Sequence, residues 1–311
     1  MTDTSASAPG QPTAQTAGLA SGGAGSNRFR GARNYLALIP FHAYIFLFLI
    51  LPTAIVAVGA FTTASGQPTA DNVSRLFTDQ TFIDAFTKSI ELAVSTAIAG
   101  AIIGALLAWA VVRGDPNGPL RQFVIAASGV LAQFGGVMLA FAFLATFGFN
   151  GLATMFVRDV LHLDVLTDAS WLYSLTGLVV VYTYFQIPLM LIVFLPSLDG
   201  LRQEWFDASS SLGGSSWSFW RYVGGPILAP AFLGALLLLF TNAFSAYATA
   251  YVISTETDIV PLQIRFLLQG NVITGETDLA YAIVTWTVLL LLVAVLLMGF
   301  ANRRAAIWSR Q

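Results

Sequence analysis

Cysteine is absent from the 311 residues, lysine occurs once, at Lys88, and histidine twice, at His42 and His162. Without cysteine there are no disulfides and no thiolate metal sites. The two histidines lack the close spacing of metal ligands and read as packing or interfacial residues, so no metal site is expected. A phosphate-cradling nucleotide site needs a glycine-rich loop ending in lysine. Lys88 stands in DAFTKSIEL with no glycines before it, so this chain is not expected to hydrolyse ATP itself. No HExxH, no GxSxG with triad partners and no close carboxylate pair inside an apolar run is present, which leaves no catalytic residue to name and implies no cofactor. Charged side chains are also scarce, at 10%, with a net charge of -2. That composition offers no basic face for nucleic acid.

What the chain has in excess is apolar length. Hydrophobic residues make up 56% of it and the mean hydropathy is +0.75, too apolar for a soluble domain with a wetted surface. A spanning helix needs about 20 mostly apolar residues. Runs of that kind lie near 35–62, 90–112, 123–147, 171–195, 227–253 and 280–300. The expected fold class is therefore all-α, a polytopic membrane protein with six transmembrane helices in the lipid bilayer. The first run is too long for the hydrophobic core of a cleaved signal peptide, about 7 to 15 residues, and reads as a retained helix. Pro40 and Pro52 within it are tolerable where neighbours re-satisfy the freed carbonyls. No internal repeat suggests two inverted halves of a secondary transporter.

Orientation follows from the basic residues of short loops. Arg28, Arg30, Arg33, Arg113, Arg121, Arg202, Arg221, Arg303, Arg304 and Arg310 fall on one side of the six-span arrangement. The opposite loops hold Arg75, Lys88, Arg158 and Arg265 and gather acids such as Asp71, Asp164, Glu256 and Glu276. Both termini are thus expected in the cytoplasm. Residues 1–34, opening on a Ser, Ala, Gly, Thr, Pro and Gln stretch, read as a disordered cytoplasmic tail. Residues 35–303 form the membrane domain, and 304–311 a second cytoplasmic tail.

Within the membrane domain, EWFDASSSLGGSSWSFWRYVGGPILAP at 204–230 reads as a short polar helix-turn-helix between two apolar stretches, on the cytoplasmic side. Asp207, Ala208 and Ser209 are followed by Leu212 and Gly213, then Val223, Gly225 and Pro226. Small residues let a helix seat closely, the acid can meet a basic partner, and glycine permits the positive φ that ends a helix. Pro226 is placed to begin the next helix. Trp205, Phe206, Trp217, Phe219, Trp220 and Tyr222 add an aromatic face suited to a membrane surface or a protein groove. A surface helix without a partner is the plainer reading. Against it, serine and glycine each disfavour a free helix by roughly 0.5 to 1 kcal/mol, so an external groove is a natural source of order.

The loop, taken as 200–226, resembles the "EAA" signature of the permease subunits of binding-protein-dependent ABC importers. SIELAVSTAIAGAIIGALLAWAVVRG at 89–114 and FGFNGLAT at 147–154 are similar to that family's second span and to the turn after its third. Asp207 stands where glutamate is usual, Ser209 where alanine is, and Gly225 where leucine is. The resemblance implies a coupling helix that enters an ATPase subunit, with Asp207, Ala208, Ser209, Leu212, Gly213 and Pro226 as its coupling residues. It further implies two ATP-binding subunits, a second permease subunit and an extracytoplasmic solute-binding protein as partners, in the cell membrane.

Polar residues interrupt the apolar runs at Gln133, Gln186, Asn242, Ser245, Tyr247, Thr249 and Tyr251, which makes them candidates for the substrate pathway; interhelical hydrogen bonding is the other use of such groups. Apart from Glu91, read as interfacial, the spans carry no carboxylate, lysine or arginine, which argues against coupling to an ion gradient. FSAYATAYVIS at 244–254 and IVPLQIRFLLQGNV at 259–272 look most similar to the spermidine/putrescine and iron(III) branch, so a polyamine-type solute is favoured. Sugar, iron(III), thiamine and phosphonate permeases and an ion-coupled carrier are the alternatives.

Overall fold

In hydrocarbon no water is available to the main chain, so apolar runs satisfy their amides internally as helices. The computed structural model of the chain describes residues 39–63, 65–160, 162, 169–254, 259–269 and 277–308, without the side chains of 301–308. The expected N-terminal tail, 1–34, lies outside the described residues, as do 309–311. Among the described residues twelve helices follow in order, besides a short 3₁₀ helix at Ala169–Tyr173: α1 Ile39–Gly59, α2 Asp71–Thr78, α3 Gln80–Val112, α4 Pro119–Gln133, α5 Gly136–Phe147, α6 Leu152–Asp159, α7 Leu175–Asp199, α8 Gln203–Ser211, α9 Ser216–Ser245, α10 Ala248–Ile253, α11 Val260–Gln269 and α12 Thr277–Trp308. Among the described residues there is no strand, only an isolated bridge between Thr62 and Pro68. Six stretches are long and apolar enough to cross a membrane: α1, α3, Gly136–Asp159, α7, α9 and the Thr277–Phe300 part of α12. The chain is an all-α, multi-pass membrane protein.

It divides into two units, Met1–Thr53 and Ala54–Gln311, with the boundary inside α1. In the first unit the described residues are helical from Ile39 and carry a π-turn at Phe46–Ile50. The proline four residues beyond Phe48 explains the widening. Pro52 has no N–H to give to the Phe48 carbonyl, and its ring crowds that carbonyl, so the turn opens instead of breaking. A second π-turn, Trp220–Gly224 in α9, is centred on Tyr222, four residues before Pro226, and has the same cause.

The second unit is built around α7, of which 56% of the most apolar window is buried, against 11% for α12. α7 packs chiefly on α3, and the two approach closely because α3 presents Gly100 and Gly104 at the crossing. A Cβ on Gly104 would stand 2.5 Å from Met190 Cβ and 2.6 Å from the Ile187 carbonyl oxygen. Two apolar clusters result. One includes Leu92, Ala93, Tyr182, Phe185, Ala243 and Phe244. The other includes Ala97, Ala101, Met190, Phe194, Ala235 and Leu239. Between the two clusters in chain order, on the same three helices, lie Thr96, Gln186 and Asn242, of which Gln186 and Asn242 are hydrogen-bonded to each other.

Two spans differ from the sequence expectation. The run 123–147 is not one helix: it breaks at Phe134 and Gly135, and Gly136 adopts φ +66°, which only a residue without Cβ takes at no steric cost. The apolar stretch of spanning length is instead Gly136–Asp159. The run 227–253 begins earlier, at Ser216, because the π-turn carries the helix through Pro226, and it ends at Ser245 before a break at Ala246 and Tyr247. Periodicity registers apolar length and cannot register where backbone hydrogen bonds are interrupted.

Candidate functional site

The polar loop between α7 and α9 is ordered by its own side chains. Ser210 Oγ donates to the Phe206 carbonyl at 3.0 Å and Ser211 Oγ to that of Asp207 at 2.9 Å. Gln203 Nε2 donates to Asp207 Oδ1 at 3.2 Å. α8 ends at Gly213, whose φ is +80°. The Gly213 and Gly214 amides then reach back to the carbonyls of Ser210 and Ser209, each at 2.9 Å, closing off the C-terminal carbonyls. Ser215 caps the start of α9 by accepting from the Ser218 amide at 3.3 Å. Phe206 packs edge-on against Phe219 at 5.3 Å, and Phe219, 4% exposed, anchors the turn. The expected external source of order is thus joined by an internal one, since serines that disfavour a free helix here occupy their hydroxyls on carbonyls one turn back.

Among its polar side chains the loop also leaves three large apolar ones outward. Leu212 is 90% exposed, and Trp217 and Tyr222 are 72% exposed. Asp207, Ala208, Gly213 and Pro226 are exposed, while Ser209 is half-buried. A shallow groove of about 500 Å³ runs along Trp205, Ala208, Ser209, Leu212, Val223 and Ile227. Just before the loop, Arg121 Nη2 meets Asp199 Oδ2 at 2.5 Å, tying the start of α4 to the end of α7.

The seven polar candidates separate into two groups. Gln186 is fully buried: its Nε2 donates to the Leu239 carbonyl at 2.7 Å, and its Oε1 accepts from Asn242 Nδ2 at 3.3 Å. Thr249, 1% exposed, donates to the Gly136 carbonyl at 3.0 Å. These two side chains hold helices together. Gln133, Ser245 and Tyr251 are exposed, and Asn242 and Tyr247 half-buried. They gather around the two helix breaks, which the Thr249 to Gly136 bond brings side by side. Replacing Gln186 by leucine is expected to lower stability by about 1 kcal/mol, the scale of interhelical hydrogen bonds in membranes, and to appear as a lower melting temperature in detergent.

Sequence reasoning missed two contributors to this region. Tyr182, buried on α7, donates its hydroxyl to the Ala246 carbonyl at 2.6 Å and so satisfies main chain freed by the break. Nothing in an apolar run distinguishes that tyrosine from packing. Gly135-Gly136 is the other, and the glycine pair within an apolar run is the signal that could have revealed it. Arg265, counted only as a loop charge, lies 3.8 Å over the ring of Tyr251, which itself stacks on Tyr247 at 5.5 Å.

No family model matches the chain. Among curated proteins it is similar to a probable sulfate transport system permease protein of Chlorokybus atmophyticus, 24% identical over 256 residues, covering 80% of this chain and 84% of the relative. The spermidine/putrescine transport system permease protein PotC of Haemophilus influenzae is 25% identical over 231 residues, 74% of this chain and 80% of that one. The probable starch degradation products permease AmyD of Thermoanaerobacterium thermosulfurigenes is 24% identical over 222 residues, 68% and 73% of the two chains. Among solved structures, a bacterial ABC transporter that imports the acidic polysaccharide alginate matches with a TM-score of 0.66 at 17% identity, over 89% of this chain and 96% of that one. The MetNI methionine ABC transporter matches at 0.51 and 14%, over 72% and 94%. Sequence and fold together bear out the resemblance: the chain is similar to permease proteins of solute transport systems and shares the fold of solved ABC transporters.

Proposed function

We propose that this chain is a membrane subunit of an ATP-driven importer, pairing with a second permease to line the path of a small solute, with both termini and the 200–226 loop on the cytoplasmic side. The observation that carries the reading is the loop itself: a short helix pinned by internal bonds, ended by a positive-φ glycine, and presenting Leu212 and a shallow groove outward. Two ATPase subunits take up that surface, and their closure is passed to α7 and α9, the helices on either side of it. A solute-binding protein delivers cargo from the opposite face; the solved alginate transporter is seen in complex with an alginate pentasaccharide-bound periplasmic protein. Gln133, Asn242, Ser245, Tyr247 and Tyr251 are the pathway residues of this reading, with Gln186 and Thr249 as their supports.

For cargo, the similarity of 244–254 and 259–272 to polyamine permeases favours a polyamine, and one relative handles spermidine and putrescine. Sulfate and starch-product relatives of equal similarity widen the choice.

The test is reconstitution with the candidate ATPase and binding protein in proteoliposomes. ATP-dependent uptake that persists when ion gradients are collapsed supports the reading. Uptake that survives ATP depletion and stops with the gradient refutes it in favour of an ion-coupled carrier. Asp207→Lys is expected to weaken co-purification of the ATPase about tenfold while the melting temperature of the membrane domain stays unchanged, the loss of one charge contact at an interface.

A further inference from the structure

The short helix after the α9 break carries a donor-rich cluster that the docking loop does not explain. Arg265, half-buried on α11, covers the Tyr251 ring at 3.8 Å, donates from Nη2 to the Tyr251 hydroxyl at 2.9 Å and from Nε to Gln269 Oε1 at 2.7 Å. Tyr251 stacks on Tyr247 with the ring planes 18° apart. Among the described residues no carboxylate pairs with Arg265. A guanidinium has five N–H donors in a rigid fork and no acceptor. The contacts above use two of them. The Tyr251 hydroxyl accepts from Arg265, so its own proton remains to be donated beside the fork. Tyr251 is 44% exposed, so this edge opens outward.

The support beneath is stiff. Thr249 on the same short helix is tied to Gly136, and Ala246 at its entry takes the Tyr182 hydroxyl. Guanidinium and phenol donors with no carboxylate beside them among the described residues match an oxyanion and repel a polycation. The stacked tyrosines hold the fork in place, since a guanidinium over a ring is attracted to its π face.

We propose that Arg265 and Tyr251 form an oxyanion subsite beside the paired helix breaks, so that the solute in transit is anionic, of the sulfate type, instead of a polyamine. This rests on the permease reading above and narrows its cargo.

The experiment uses the purified chain in maltoside micelles free of phosphate, with sulfate as probe. Phenylglyoxal labels accessible arginines, and peptide mass spectrometry reads the adduct at Arg265 alone. At about ten dissociation constants, sulfate slows that labelling roughly tenfold, because only the empty site reacts, while chloride at matched ionic strength does not. Tyr251→Phe keeps the ring and removes the hydroxyl, so equal protection then needs roughly tenfold more sulfate, the scale of one hydrogen bond to a charged group. Labelling that sulfate leaves unchanged, an Arg265 that never reacts, or protection by spermidine in place of sulfate overturns the proposal. Protection by phospholipid vesicles without protection by sulfate also overturns it, since the anion is then a lipid headgroup and not cargo. No ATP or partner subunit enters this measurement, so its failure is separable from failure of ATP-driven uptake.

Discussion

Gly213→Val is expected to abolish coupled transport while leaving the membrane domain folded. Gly213 holds φ +80° at the end of α8, with nothing within 4 Å of a Cβ placed there, so space is not the obstacle. The obstacle is backbone: a β-branched side chain in the left-handed region costs about 1 to 3 kcal/mol. The chain escapes that strain by moving φ negative, which breaks the Gly213 and Gly214 amide bonds to Ser210 and Ser209 and swings Leu212 away from the groove. A docking surface centred on one exposed leucine and a narrow groove tolerates such displacement poorly, and an affinity for the ATPase weaker by roughly 100-fold is expected. Uptake in proteoliposomes and co-purification of the ATPase measure the effect, with the thermal melt of the solubilised chain as the control for folding. Normal uptake by the valine variant would remove this loop from the coupling path.

Gly104→Leu is expected to destabilise the packing of α3 on α7 strongly. The α3 and α7 backbones meet where Gly104 faces Met190 and Ile187, and even a methyl group would lie 2.5 Å from one and 2.6 Å from the other. Backbone atoms cannot yield as a flexible side chain does, so a leucine separates the helices along their shared face. Overpacking of this kind costs about 1 to 3 kcal/mol where side chains can adjust, and more where a main-chain carbonyl is the neighbour. Close approach of small residues also carries much of the attraction between membrane helices, because lipid offers no hydrophobic force between them. Loss of the monodisperse peak on size-exclusion chromatography and a lower melting temperature are the readouts. Gly129→Ala on α4, where nothing lies within 4 Å, is the matched control and is expected to leave both unchanged.

The membrane character, the six spans and a polar loop set between two of them were legible in the sequence because each depends on local composition or on a short fixed spacing. Apolar length alone forces a helix in hydrocarbon, and the loop announces itself by polarity between two such lengths. Legibility stopped where a residue's role depends on a partner distant in the chain. Gln186 and Asn242 looked alike from their surroundings, yet one is buried against the Leu239 carbonyl and the other bonds to it from the next helix. The breaks at Phe134 and Ala246 escaped a search for apolar runs because the runs stay predominantly apolar through them, and an interrupted backbone hydrogen bond leaves no mark in hydropathy. Sequence by itself determined that this protein crosses the membrane and which segment stands apart as a handle, since both follow from hydropathy and from residue types that favour or disfavour a free helix. Only the tertiary structure decided that two interrupted helices lie side by side, tied by Tyr182 and Thr249, and that Arg265 rests on Tyr251. Those contacts join residues from 14 to 113 positions apart, and nothing but the folded packing of α5, α7, α10 and α11 brings such groups within hydrogen-bonding distance.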